Sequence, residues 1–168
     1  MKLVSVSTPV ARRVFISILA ASALAVALPQ SAFAQADPLL GTWKLNLAKS
    51  SYVPGPAPRS ITLNYQGAGA NLTATADTID PAGKSLRAVF MRIYDGQPHP
   101  TTGSPDYDAS AYTRLDANTF IISRTKAGKL VEVDTQVISQ DGKTTTITTR
   151  GVTAAGMPAT ILQVYEKQ

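Results

Sequence analysis

The chain has 168 residues, with 16 lysines and arginines, 11 acidic residues, one histidine and no cysteine. The lack of cysteine excludes disulfides, thiolate zinc sites and a lipid anchor on a cysteine after a leader. The length suits one domain with a hydrophobic core. Because residues 35–168 contain no cluster of lysines and arginines, we expect no nucleic-acid partner.

Residues 1–34 are predicted to be an export signal peptide. A basic start precedes the uncharged apolar run Val14–Leu28, which is followed by Pro29 and the small-x-small sequence Ala32-Phe33-Ala34. The run is too short to span a bilayer, and no later run is long enough, so we expect no membrane span. Cleavage near Ala34 would leave residues 35–168 as the mature domain in the periplasm or medium. Arg12-Arg13 leaves the general secretory and twin-arginine export routes both open.

Beyond Gly41, short runs rich in Val, Ile, Thr and aromatic residues alternate with turns about every ten residues, which predicts an all-β domain. The links are too short for parallel crossovers, so the strands are expected to be antiparallel neighbours. The predicted strands are Thr42–Leu47, Ser60–Gln66, Asn71–Ile79, Ser85–Tyr94, Ala109–Leu115, Thr119–Thr125, Leu130–Ser139, Thr144–Arg150 and Ala159–Glu166.

Two segments rich in proline, Ser50–Arg59 and Asp95–Asp108, are predicted to be irregular. The second is the longest link, and links of more than about 12 residues are often lids or binding loops. The only helix expected in the mature domain is a single turn near Ala48–Tyr52.

Alternation within strands predicts which side chains face the core. The core-facing positions expected in this way are Ile61, Leu63, Tyr65, Leu72, Ala74, Ala76, Val131, Val133 and Val137. By the same pattern Glu132, Asp134 and Gln136 are predicted to face water. Ser85–Tyr94 is apolar on both faces, so we expect either a covering loop or an exposed contact patch over its outer face.

Gly41-Thr42-Trp43 opens the first strand, and the last strand lies at the C-terminus. This arrangement resembles the calycins, which include lipocalins, fatty-acid-binding proteins and small secreted bacterial lipocalin-like proteins. The closer resemblance is to the small secreted bacterial lipocalin-like proteins, and it rests on Gly41–Ser50, Pro54-Gly55-Pro56-Ala57-Pro58, Asp95-Gly96, Ser139-Gln140-Asp141-Gly142-Lys143 and Val164-Tyr165-Glu166-Lys167. It implies one closed up-and-down β-barrel of about 8–9 strands, with Gly41 and Trp43 closing its base. It also implies that an arginine of a late strand, here Arg150, covers Trp43.

Two Arg/Tyr pairs form the candidate ligand site. Arg92 with Tyr94, and Tyr112 with Arg114, are two residues apart, so each pair shares one face of its strand. Phe90 lies on the same face as Arg92. An arginine and a phenol inside an apolar barrel suit a carboxylate, although the place where fatty-acid-binding proteins carry Arg-x-Tyr reads Gln163-Val164-Tyr165 here. We predict a small, mostly apolar ligand with an anionic head group; alternatively, these arginines reach water at the rim.

No catalytic, metal or cofactor motif stands out, so an enzyme is not expected. His99, the only histidine, is interpreted as an exposed loop residue, with single axial ligation of haem as the remaining alternative. Asp106-Tyr107-Asp108 is interpreted as a soluble loop rather than a calcium site. The competing function is a protein-interaction module of the cell envelope or a secreted inhibitor, with Met91 and Asp95–Asp108 as its contact surfaces.

Overall fold

The computed structural model describes residues 37–69, 71–152 and 156–168, so the leader and its cleavage near Ala34 lie outside the described residues. The described residues form a single 3-10 turn, Leu47–Lys49, and eleven strands. The strands are β1 (Gly41–Leu45), β2 (Ser51–Val53), β3 (Ser60–Ala68), β4 (Asn71–Ile79), β5 (Ser85–Ile93), β6 (His99–Thr102), β7 (Ala109–Arg114), β8 (Thr119–Lys126), β9 (Lys129–Ile138), β10 (Thr144–Val152) and β11 (Pro158–Lys167). Within these ranges no helix has the length and apolar character needed to cross a membrane.

The strands form one antiparallel sheet that closes on itself. Its order is β1-β3-β4-β5-β6-β7-β8-β9-β10-β11, and β1 pairs again with β11. The short β2 pairs with β11 next to β1, so ten of the strands in the described residues form the closed wall. The prediction of an all-β, lipocalin-like barrel is confirmed, with slightly more strands than expected.

The additional strands β2 and β6 come from the two segments that were predicted to be irregular. β6 pairs through only two residues with β5 and two with β7, and Pro100 is one of them. Proline is tolerated in such short pairings because few of the backbone donors are needed there. The predicted loop Asp95–Asp108 therefore contains one strand, and its last part, Gly103–Asp108, remains a loop.

The core agrees with the alternation in β3, β4 and β5. Ile61, Leu63 and Tyr65 are buried, as are Leu72 and Ala74. Ala88 and Phe90 of β5 are buried too, while Met91 on the other face is about half exposed (49%). These strands place one apolar face inward, where its burial contributes to the hydrophobic stabilisation of the barrel.

Trp43 lies fully buried near one end of the barrel, which we call the base. Its Nε1 donates a hydrogen bond to the carbonyl oxygen of Leu39 (2.7 Å), and Leu39 is itself fully buried. The ammonium of Lys167 lies 5.1 Å from the centre of the indole. The expectation that Arg150 covers Trp43 is wrong: Arg150 is exposed, and it follows the inward-facing Thr149, so it points to the outer face.

The orientation predicted for β9 is also wrong. Asp134 and Gln136 are fully buried, whereas Val137 is 43% exposed. The register explains this, because Asp134 pairs with Ile122 and Gln136 pairs with Phe120, both of which face the core. Residues paired across strands share a face, so the polar side of β9 faces the interior of the barrel.

Candidate functional site

The interior of the barrel contains a cavity of about 240 Å³. Most of its wall is apolar or aromatic, with Ile61, Leu63, Leu86, Phe90, Tyr112, Ile122 and Ile147 among the residues that line it. Arg92, Arg124 and Glu132 also line it, and residues of the loop Gly103–Asp108 lie at the end that we call the mouth. An apolar cavity with a few convergent polar groups is the usual form of a small-molecule site.

Arg92 is the most unusual side chain of this cavity because it is charged and fully buried. Its guanidinium carbon lies 4.6 Å from the ring centre of Phe120 and 4.8 Å from that of Tyr112. Its Nε donates to the hydroxyl of Tyr94 (3.2 Å), but Nη1 and Nη2 have no hydrogen-bond partner among the described residues. Cation–π contacts contribute about 0.5–2 kcal/mol each, yet they leave the donors of these two nitrogens unused.

The hydroxyl of Tyr94 connects Arg92 to the chain segment that closes the base. This hydroxyl donates to Asp37 Oδ2 (2.8 Å), and Asp37 Oδ1 accepts from the backbone nitrogen of Leu39 (2.9 Å). Burial raises the pKa of Tyr94 to about 12, so the phenol keeps the proton that it donates. Arg92 is thus held by a neutral phenol, and the carboxylate of Asp37 lies one hydrogen bond further away.

Arg114 lies at the rim of the base with its side chain 36% exposed. Its Nη1 is 3.7 Å from Asp37 Oδ2, and its Nε and Nη2 donate to the carbonyl oxygens of Asp116 and Ala117. The guanidinium also lies 5.4 Å from the ring centre of Tyr94. Arg114 therefore already has partners for its donors, unlike Arg92.

A second charged cluster lies toward the mouth. Arg124 Nη1 forms ion pairs with Glu132 Oε1 and with Asp134 Oδ2, the latter at 2.8 Å. Tyr107, from the loop at the mouth, places its ring centre 4.6 Å from the same guanidinium. In the described part of the chain, neither oxygen of Asp134 accepts a hydrogen bond of normal geometry. Burial raises the pKa of Asp134, and the charge of Arg124 opposes this rise.

The structure brings the five predicted ligand-site residues near one another, but only Phe90, Arg92 and Tyr112 line the cavity, while Tyr94 and Arg114 do not. Phe90 and Tyr112 are stacked with ring centres 6.3 Å apart, and Arg92 contacts both Tyr94 and Tyr112. Arg114 reaches the same group from the rim. Their assignment as ligand contacts remains a prediction.

Sequence reasoning missed the cluster of Arg124, Glu132 and Asp134. The available signal was the alternation of β8, in which Phe120, Ile122 and Arg124 share one face just as Phe90 and Arg92 do in β5. Gln163, which stands where fatty-acid-binding proteins carry an arginine, lines the cavity and donates to the hydroxyl of Tyr52 (3.2 Å).

Asp106 and Tyr107 line the cavity at the mouth, whereas the other candidate residues, His99 and Asp108, do not line it. His99 begins β6 and is partly buried, and its Nε2 lies 3.0 Å from both carboxylate oxygens of Asp95. Asp108 Oδ2 accepts from the backbone nitrogen of Ala127 (2.9 Å), which fastens the loop at the mouth. Within residues 37–69, 71–152 and 156–168, no group of three or more His, Asp or Glu side chains is arranged to hold a metal ion.

Comparison with known proteins supports the fold. No protein-family model matches the chain, and no curated protein matches it. Among solved structures, the zebrafish ileal bile acid-binding protein in complex with cholic acid matches with a TM-score of 0.50 and 14% identity. The match covers 78% of this chain and 99% of that one. At this identity the likeness concerns the fold alone, which is a closed antiparallel β-barrel.

Proposed function

We propose that this protein binds a small, mostly apolar molecule inside the barrel and directs an anionic group of that molecule toward Arg92. It acts as a binding protein rather than an enzyme, and the predicted leader assigns it to the periplasm or medium. The observation that carries the proposal is the fully buried guanidinium beside an apolar cavity, with Nη1 and Nη2 lacking partners among the described residues. The fold neighbour was solved with cholic acid, which also combines an apolar body with a carboxylic acid.

The chemistry of Arg92 favours an anion over a neutral group. Burying a charge without a counter-charge is unfavourable, so an anion that reaches Arg92 gains a strong interaction with it. A guanidinium offers two parallel N–H donors, which suit a carboxylate or sulfonate. Since Nη1 and Nη2 expose almost no surface, we expect a neighbouring ring such as that of Tyr112 to shift when the anion binds.

The size of the cavity limits the ligand. A volume of about 240 Å³ lies just below the usual range of small-molecule pockets. We therefore expect a compact ligand of roughly 12–15 non-hydrogen atoms. Octanesulfonate meets this size and remains ionised at any ordinary pH, and methyl octyl sulfone is its neutral analogue.

Isothermal titration calorimetry with this pair of compounds tests the proposal. We expect the native protein to bind one octanesulfonate, and Arg92→Met to bind it at least about tenfold more weakly. Binding of methyl octyl sulfone should change little. Arg87→Met is the matched control, because Arg87 is an exposed arginine of the same strand that pairs with Asp77 on the outer face.

Two results would overturn the proposal. One is equal binding of octanesulfonate to the native protein and to Arg92→Met. The other is failure of the native protein to bind either compound.

The protein-interaction alternative finds less support in the structure. Met91 is half exposed, as that alternative requires, but its outward neighbours Arg87 and Val89 include a charged side chain. The loop Gly103–Asp108 turns over the mouth, and its Tyr107 lies on Arg124 instead of extending outward. These two features favour a ligand site within the barrel.

A further inference from the structure

We propose that an anion binding at Arg92 favours protonation of Asp134, so that the barrel binds anions more tightly as the pH falls. This inference rests on the proposed function, since it concerns the regulation of the same site. It assigns a role to the charged cluster at the mouth, which the proposed ligand contacts do not use.

The first step is the balance of charge inside the barrel. Among the described residues, the interior and its base rim hold three cations and three carboxyl groups: Arg92, Arg114, Arg124, Asp37, Glu132 and Asp134. When all of them are ionised the charges cancel. A bound anion adds one negative charge in a medium that screens poorly, and protonation of one carboxylate restores the balance.

Asp134 is the carboxylate best suited to take that proton. Asp37 accepts hydrogen bonds from Tyr94 and from the backbone of Leu39, so each of its carboxylate oxygens already has a donor. Glu132 pairs with Arg124 and keeps 20% of its side chain exposed to water. Asp134 is fully buried, must share Nη1 of Arg124 with Glu132, and in the described structure accepts no hydrogen bond of normal geometry.

Charged and polar groups on several strands face Asp134. Arg124 of β8 contacts it, Glu132 precedes it on β9, Thr149 of β10 lies beside it, and Arg92 of β5 acts on it through its charge. Burial and Glu132 raise the pKa of Asp134, while Arg124, Thr149 and Arg92 lower it. An anion at Arg92 cancels the influence of Arg92, and the pKa of Asp134 then rises further.

The sign of the coupling follows from linkage. If the anion favours the protonated form of Asp134, protonation of Asp134 favours the anion by the same factor. Affinity should therefore rise as the pH falls toward and through the pKa of Asp134, which lies above that of an ordinary aspartate. Because the charges of Arg92 and Asp134 interact in a medium that screens poorly, we expect an effect of roughly tenfold on the affinity.

Calorimetry with octanesulfonate at about pH 8 and about pH 5.5 tests the coupling. The probe does not itself titrate in this range, so any change belongs to the protein. We expect the native protein to bind it about tenfold more tightly at the lower pH. Asp134→Asn should bind it with the same affinity at both values, near that of the native protein at low pH. Asp77→Asn, which removes an exposed carboxylate on the outer face, should behave as the native protein does.

A measurement on the native protein alone makes the test independent of whether Asp134→Asn folds. Repeating the titration at several pH values between about 5.5 and about 8 in buffers of different ionisation enthalpy counts the protons taken up, and we expect a maximum of about half a proton per sulfonate, which is what a tenfold coupling gives. His99 is kept in every variant. A pH effect that arises from His99 would therefore persist in Asp134→Asn.

The outcomes separate this inference from the proposed function. Octanesulfonate binding that depends on Arg92, but shows equal affinity at both pH values and no proton uptake, would overturn the inference and leave the proposed function intact. A pH effect that persists in Asp134→Asn would also overturn it. No binding of octanesulfonate at either pH would overturn both.

Discussion

The barrel holds two interior arginines, Arg92 and Arg124, in very different surroundings. Arg124 lies against the carboxylates of Glu132 and Asp134, with the ring of Tyr107 on its guanidinium. Arg92 lies among aromatic rings and a neutral phenol, and in the described structure two of its nitrogens lack hydrogen-bond partners. Acidic side chains of the protein therefore neutralise Arg124, whereas none in the described structure forms an ion pair with Arg92.

This difference separates a structural role from a binding role. The buried Asp134 and the partly buried Glu132 require a cation, so Arg124 is explained by the fold itself. No acid in the described residues forms an ion pair with Arg92, and its burial is therefore a cost that folding alone does not explain. A cost of this kind is typical of a site that keeps an interaction for a ligand.

Removing the neutralised arginine should have the largest effect on stability. Arg124→Met leaves Glu132 and Asp134 in the interior without their cation, and we expect the free energy of unfolding to fall by about 3 kcal/mol. Urea unfolding followed by the fluorescence of Trp43 measures the change. A loss below about 1 kcal/mol would show that Glu132 and Asp134 do not need the charge of Arg124 to remain in the interior.

Removing Arg92 should change stability in the opposite direction. Arg92→Met keeps the length of the side chain and removes a buried charge, and we expect the free energy of unfolding to rise by about 1 kcal/mol. The same urea titration measures it. A clear loss of stability would mean that the cation–π contacts outweigh the cost of burial, and that Arg92 is a structural residue.

An exposed ion pair should give the smallest effect. Arg87 and Asp77 form an ion pair on the outer face, with 67% and 44% of their side chains exposed. Exposed pairs contribute little because water and salt screen them. We expect Arg87→Met to change the free energy of unfolding by less than about 0.5 kcal/mol, and thermal unfolding of this variant beside Arg92→Met checks the expectation.

The strand pattern predicted the all-β class, the resemblance to calycins implied the closed barrel, and alternation along strands predicted half of the interior. β5 shows why. Ala88, Phe90 and Arg92 lie on the same face of this strand, so the inward direction of Ala88 and Phe90 also predicts that Arg92 points inward. The base of the barrel was harder to predict, because Lys167 instead of Arg150 lies over Trp43. Only the pairing of β1 with β11, a long-range contact, brings Lys167 there.

The prediction of which face of β9 points into the barrel failed because either face of this strand is a plausible inner face. Val131, Val133 and Val137 form a better apolar stripe than Glu132, Asp134 and Gln136, yet the polar stripe lies inside. The deciding factor is Arg124 on β8, whose partner in the register is Glu132. A single strand carries no information about such a neighbour, so the polarity rule fails where an interior ion pair replaces apolar packing.

A crystal structure of the native protein with octanesulfonate would test the role of Arg92 most directly. We predict one molecule in the cavity, with sulfonate oxygens about 3 Å from Nη1 and Nη2 of Arg92 and the alkyl chain directed toward the mouth. A sulfonate bound instead to Arg114 at the rim, to Arg124, or only on the outer surface would contradict the proposed role of Arg92.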